Sequence, residues 1–209
     1  MLQDSSQVDD LIHQAAKGDA VALDSLFSRY RPRLKRMVQL RLNQQLRGRV
    51  DDSDVLQEAF LEVSKNLDGY LDCPKMPFFL WLRHITGQKL ISIHRQHLGA
   101  KMRDAGREVS LHYEAPPAST ASIAGRILGP MTSPSQAVMK EEFRASLHEA
   151  LDSMSDLDRE VLALRHFEQL TNQEAAQVLQ IEESAASKRY LRALERLQSI
   201  LSQMKLLDD

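Results

Sequence analysis

Cysteine is nearly absent from this chain: of 209 residues only Cys73 is one. A single thiol forms no intrachain disulfide and no multi-cysteine zinc site, which excludes disulfide scaffolds and zinc fingers. Aromatic residues are scarce, at 5%, and no apolar run approaches the length of a membrane span. The amino terminus, MLQDSSQVDD, is polar and acidic, unlike a secretory leader. A cytoplasmic protein with no membrane partner is expected. No segment alternates apolar and polar residues as a half-buried strand does, so the expected fold class is all-α. There is no Walker sequence, HExxH pair or nucleophile elbow, hence no enzyme signature. His94, His97 and Cys73 read more simply as a basic helix face and a buried thiol than as metal ligands, and no metal or cofactor is expected.

The remaining composition is that of a soluble globular protein, with 43% hydrophobic and 27% charged residues. The net charge of −2 averages over segments of opposite sign, and the segments carry the information. From Val8 to Val38 apolar residues recur at spacings of three and four, broken at Gly18-Asp19, which predicts a helical hairpin. Arg29 to Arg49 holds eight Arg or Lys residues and no acid, a solvated face or a surface for a polyanion. After Gly48 the sign reverses. Asp51, Asp52, Asp54, Glu58 and Glu62 lie on a segment whose stripe is Val55, Leu56, Ala59, Phe60, Val63 and Leu67. Acids in a first helical turn oppose the helix dipole. An outer face that stays acidic suits a partner with a basic surface.

Tyr70, Phe78, Phe79 and Trp81 then cluster, with Pro74 and Pro77 holding part of the interval out of helix. A long helix follows, bearing Arg83, Lys89, Arg95, Lys101, Arg103 and Arg107 against Asp104. Rings beside cations suit single-stranded nucleic acid, although Phe78 and Trp81 also fit a core. Residues 105–136, rich in Pro, Ser and Ala, read as a linker between two small helical domains, 1–104 and 137–209. Ile123, Ile127 and Leu128 are the linker residues able to dock.

The second domain ends in the most informative stretch, LTNQEAAQVLQIEESAASKRYLRALERL, from Leu170 to Leu197. Thr171 and Glu174 form a capping-box start, the first helix runs to about Leu179, and Glu182, Glu183 and Ser184 open a second. Two helices joined by a short turn, the second basic, read as a helix-turn-helix. Ala176 fits the close crossing. Val178, Leu179, Ile181, Ala186, Tyr190 and Leu194 fit the buried side. Ser187, Lys188, Arg189, Leu191 and Arg192 are left to face outward, with lengths suited to phosphates and base edges. A hairpin that only packs on its neighbours is the alternative.

These segments in this order resemble the extracytoplasmic-function (ECF) group of sigma factors in the sigma-70 family, over nearly the whole chain. DDSDVLQEAFLEVSKNLDGY (Asp51 to Tyr70) is similar to conserved region 2.2, and FFLWLRHITGQKLISIHRQ (Phe78 to Gln96) to regions 2.3 and 2.4. SDLDREVLALRHFEQLTNQEAAQVLQ with the following SKRYLRALERL is similar to regions 4.1 and 4.2. The resemblance implies promoter recognition, DNA melting and transcription initiation with the RNA polymerase core, through its β′ and β subunits. It implies that Asp51, Asp54, Gln57 and Glu58 dock on a β′ coiled coil. It also implies that the helix with Arg83, Lys89 and Arg95, and the loop before it, hold the minus-ten element. Ser187, Lys188, Arg189, Leu191 and Arg192 would read the minus-thirty-five element as duplex. An anti-sigma factor is a further partner the resemblance allows.

The sequence departs from the family pattern at the loop Asp72 to Pro77, which lacks the common Gly-Ser character. Gln180 and Ala185 replace the usual Gly and Thr, and Ser187 replaces an often basic residue. A stand-alone helix-turn-helix regulator and a helical adaptor without DNA contact remain the competing classes.

Overall fold

The computed structural model describes residues 2–98, 115–128 and 137–205. Among them, nine α-helices and two short tighter or wider turns account for the regular structure, and no strand occurs. The chain divides into two compact units, Met1–Pro116 and Pro117–Asp209.

In the first unit, α1 (Leu2–Ala16) and α2 (Ala20–Arg41) form the expected hairpin. Gly18 makes the turn at φ +88°, a conformation that costs a side-chain-bearing residue far more. The Asp19 carboxylate accepts from the Val21 and Ala22 amides at 2.9 and 3.2 Å and starts α2. A single 3-10 turn (Gln44–Leu46) leads to α3 (Asp52–Asp72), and α4 (Phe78–Leu98) closes the unit. Helix α2 lies against α1, α3 and α4, and α3 against α4. Val55, Leu56, Ala59, Val63 and Leu67 are buried as their spacing predicts, and Phe60 meets Phe27 edge-on with centroids 5.1 Å apart.

The second unit holds α5 (Thr120–Leu128), α6 (Ala137–Asp152), α7 (Asp156–Leu162), a π turn (Ala163–Phe167), α8 (Asn172–Leu179) and α9 (Glu183–Lys205). Helix α5 falls inside the stretch read as a linker. Its prolines explain the difference: Pro116, Pro117, Pro130 and Pro134 flank Thr120–Leu128 without interrupting it, and a proline outside a helix breaks nothing. Ser119 caps α5 through the Ser122 amide, Ile123 and Ala124 are fully buried, and α5 lies on α6. The rest of the expected linker, residues 105–114 and 129–136, lies outside the described residues, as do Lys101, Arg103, Asp104 and Arg107.

Candidate nucleic-acid interface

The acidic surface of the first unit is built by the start of α3. Asp51 is its N-cap, accepting from the Ser53 amide at 2.7 Å, while Asp54 accepts from the Asp51 amide at 3.2 Å. The hydrogen bond donated by the Ser53 amide, with help from Asp52 and Lys35, holds the Asp51 carboxyl below its ordinary range. Asp51 and Asp54 therefore serve the helix as well as any partner. Gln57 and Glu58 have no such local duty, and both are exposed. Leu61 completes this face at 54% exposed. It was missed in the sequence; the available signal was an apolar residue outside the buried stripe, three and four positions from Glu58 and Gln57.

Beside the far end of α3, the loop to α4 borders an open cleft of about 640 Å³ lined by Tyr70, Cys73, Lys75, Trp81, His84 and Lys89 among others. The rings are largely committed to one another. Tyr70 stacks on Trp81 at 4.6 Å, Phe78 lies 5.7 Å from Trp81 and 5.5 Å from Tyr70, and the Tyr70 hydroxyl donates to the Met76 carbonyl at 3.0 Å. Burial pushes the Tyr70 phenol up from its usual range. The cleft brings the Tyr70 and Trp81 rings together with Lys75 and Lys89. Cys73 is exposed rather than buried, contrary to expectation.

The expected cations of α4 differ in position. Arg95 is exposed. Lys89 is half-buried and paired with Glu62 of α3 at 2.9 Å, a bond that draws the Glu62 carboxyl below its ordinary range. Arg83 is 2% exposed, a correction to its assignment as a DNA-facing residue. It falls on the buried stripe with Phe79, Thr86 and Leu90, so helical period overrides charge at this position. His94 is buried too, its neutral Nε2 accepting from the Asn43 amide at 3.2 Å, and burial lowers its pKa. It does not join Cys73 or His97 in a ligand set: among the described residues no three metal-ligating side chains converge.

In the second unit α8 and α9 follow one another across a short turn. Thr171 and Glu174 complete a capping box at 3.1 and 2.7 Å, and α8 ends at Leu179 with Gln180 in the left-handed region, φ +53°. That is where the family pattern has Gly, and Gln180 bears the steric cost Gly would avoid. Ala176 is buried at 5% and Ala186 completely. The Asn172 side chain donates to the Glu183 carbonyl at 2.9 Å, tying the two helix starts together. The buried side of α9 is Ala186, Ala193 and Leu197, whereas Val178, Leu179, Ile181, Tyr190 and Leu194 are half-buried.

The outer side of α9 carries Lys188, Leu191 and Arg192, all exposed, with Ser187 half-buried beside them. Leu191 is 57% exposed. Arg189 is turned toward α7, where its Nη1 donates to the Asp158 carboxylate at 2.9 Å.

The first unit thus combines an exposed face on α3 with a cleft lined by Tyr70 and Trp81, and the second ends in two helices joined by a short turn, the last bearing Lys188 and Arg192. Residues 5–203 match the family described as ECF sigma factor. The chain belongs to that family, whose members direct RNA polymerase to promoters at initiation. The chain is 26% identical over 200 residues to the RNA polymerase sigma-H factor of Pseudomonas aeruginosa, covering 93% of this chain and 94% of that one. It is 29% identical to the ECF RNA polymerase sigma factor ShbA of Streptomyces griseus over 195 residues, 92% of this chain and 94% of the relative. Among solved structures, CnrH in complex with the cytosolic domain of CnrY matches with a TM-score of 0.56 at 22% identity, covering 94% of this chain and 98% of the other. That likeness concerns the fold. No helix among the described residues is long and apolar enough to cross a membrane.

Proposed function

We propose that this sigma factor divides its work between its two units, the first serving as region 2 and the second as region 4. The outer face of α3, with Asp51, Asp54, Gln57 and Glu58, docks on a basic coiled coil of the polymerase β′ subunit. Leu61 supplies the apolar centre that a charged rim needs for a lasting interface. The cleft beside Trp81 takes an unpaired base of the minus-ten non-template strand, with Lys75, Lys89 and Arg95 toward the phosphates. Unstacking a base costs a few kcal/mol, which binding in the cleft offsets; the chemistry of RNA synthesis stays with polymerase. Helices α8 and α9 read the minus-thirty-five element as duplex through Ser187, Lys188, Arg189, Leu191 and Arg192, near β. An anti-sigma factor is a further proposed partner, on the ground that CnrH was solved bound to the cytosolic domain of CnrY.

The observation that carries this reading is that Gln57, Glu58 and Leu61 stand exposed on α3 with no structural task of their own. The test is to mix the purified chain with core polymerase and templates randomised over both promoter elements. Co-elution and transcripts from a shared start sequence are expected. Tight, specific DNA binding by the chain alone, with no polymerase association, would instead make it a stand-alone regulator.

A further inference from the structure

Among the described side chains of α9, Arg189 differs from Lys188, Arg192 and Arg196 in having an intramolecular carboxylate partner. Ser184, Lys188, Leu191, Arg192 and Glu195 are exposed at helical spacings and form one outward face. Arg189 stands at the edge of that face, one step toward α7, and its side chain is 33% exposed against 22% for Asp158.

Asp158 is the third residue of α7, and its amide donates to the Ser155 hydroxyl at 3.1 Å. An acid at this position ordinarily folds back to the cap amide and completes a capping box. Asp54 of α3 and Glu174 of α8 do so. Asp158 instead extends to a residue 31 positions along the chain. The local bond is left unmade, and the carboxylate is held against the guanidinium.

This bond uses one of the five N–H donors of a planar, rigid fork. A carboxylate contact partly offsets the cation's charge, which weakens it as a phosphate clamp. The same contact fixes the plane and direction of the remaining donors, which suits a bidentate bond to O6 and N7 of guanine. Lys188 and Arg192 make no hydrogen bond or ion pair among the described residues, so they keep their full charge for phosphates.

We propose that Asp158 is a positioning residue: it aims Arg189 at a base edge, and the pair together sets a G·C preference at one position of the upstream promoter element. The inference rests on reading α9 as the recognition helix.

The test uses the full chain with core polymerase and templates randomised across the upstream element, comparing wild type, Asp158→Asn, Asp158→Glu and Arg189→Lys by the sequences they transcribe. Wild type is expected to select G·C at one position. Asp158→Asn and Arg189→Lys are each expected to lower that preference by about tenfold, the scale of one bidentate contact, leaving neighbouring positions unchanged. Asp158→Glu restores it in part, an outcome that loss of general stability would not give. Preference retained in Asp158→Asn but lost in Arg189→Lys would overturn the proposal, because Arg189 would then act unaided. Stronger transcription from all templates with preferences unchanged would also overturn it, making the pair a latch that withholds Arg189. If Asp158→Asn does not fold, Asp158→Ala is read in its place: a G·C preference kept in Asp158→Ala contradicts the proposal, as does one kept in Arg189→Lys, which keeps the charge and loses the fork. A wild-type protein that initiates on core polymerase without selecting any upstream sequence would show instead that the recognition-helix reading is at fault.

Discussion

The two units hold their cations differently. In the first, Arg41 and Arg83 are buried, Arg33 lies 3.5 Å over the Phe79 ring, Lys35 is 3.6 Å from Asp52 and Lys89 is 2.9 Å from Glu62. In the second, Arg159, Arg165, Arg189 and Arg196 are held by neighbours, whereas Lys188 and Arg192 project together from α9 into solvent. A count of Arg and Lys along the chain therefore overstates what either unit offers a polyanion, and in the second the unclaimed cations stand together on one helix. Charge is available to a partner only where the helix period leaves it outside and no neighbour claims it.

That comparison presumes that each unit folds around its own core, and α5 is where it is easiest to break. Ile123 is fully buried, so Ile123→Ala should destabilise the second unit by about 2–5 kcal/mol in urea unfolding. A plain tether would tolerate the change without effect.

The contrast between inward and outward cations is sharpened by two substitutions. Arg83→Met should lower folding stability by about 1–3 kcal/mol through polar groups left unpaired in the interior. Arg192→Ala should alter melting by no more than about 0.5 kcal/mol while weakening binding of the polymerase complex to promoter duplex by about 1–3 kcal/mol. Equal thermal shifts in the two variants would erase the distinction.

A smaller effect follows from His94. Burial depresses its pKa below the ordinary value of 6.5, and the neutral ring accepts from the Asn43 amide. The unfolded chain thus takes up the proton first as pH falls. The stability His94 contributes is complete above 6.5 and declines as pH drops toward the folded-state value. Urea midpoints between pH 7.5 and 5.5 should fall for the wild type and fall less for His94→Gln.

Much of this was legible in the sequence because local rules and tertiary packing agree there. The Gly18 break, the Thr171–Glu174 box and the stripe from Val55 to Leu67 each state their structure within a few residues. The misreadings have two causes. Arg83 shares a helical stripe with Phe79, Thr86 and Leu90, a local sign that its charge obscured; nothing near Arg189 points to Asp158, and the density of Pro and Ser around Thr120–Leu128 concealed a helix that lies on α6. Gln180 is a different case. The missing Gly was visible as a departure, and the backbone keeps its left-handed turn regardless, because the packing of α8 on α9 outweighs the local cost.

The central claim is that the outer face of α3 is a polymerase-docking surface. Titrating core RNA polymerase with wild type and with the double variant Gln57→Lys, Glu58→Lys tests it most directly, since neither residue caps the helix. The account predicts an affinity loss of about 2–5 kcal/mol with the circular-dichroism melt unchanged; equal affinity for the two proteins would contradict it.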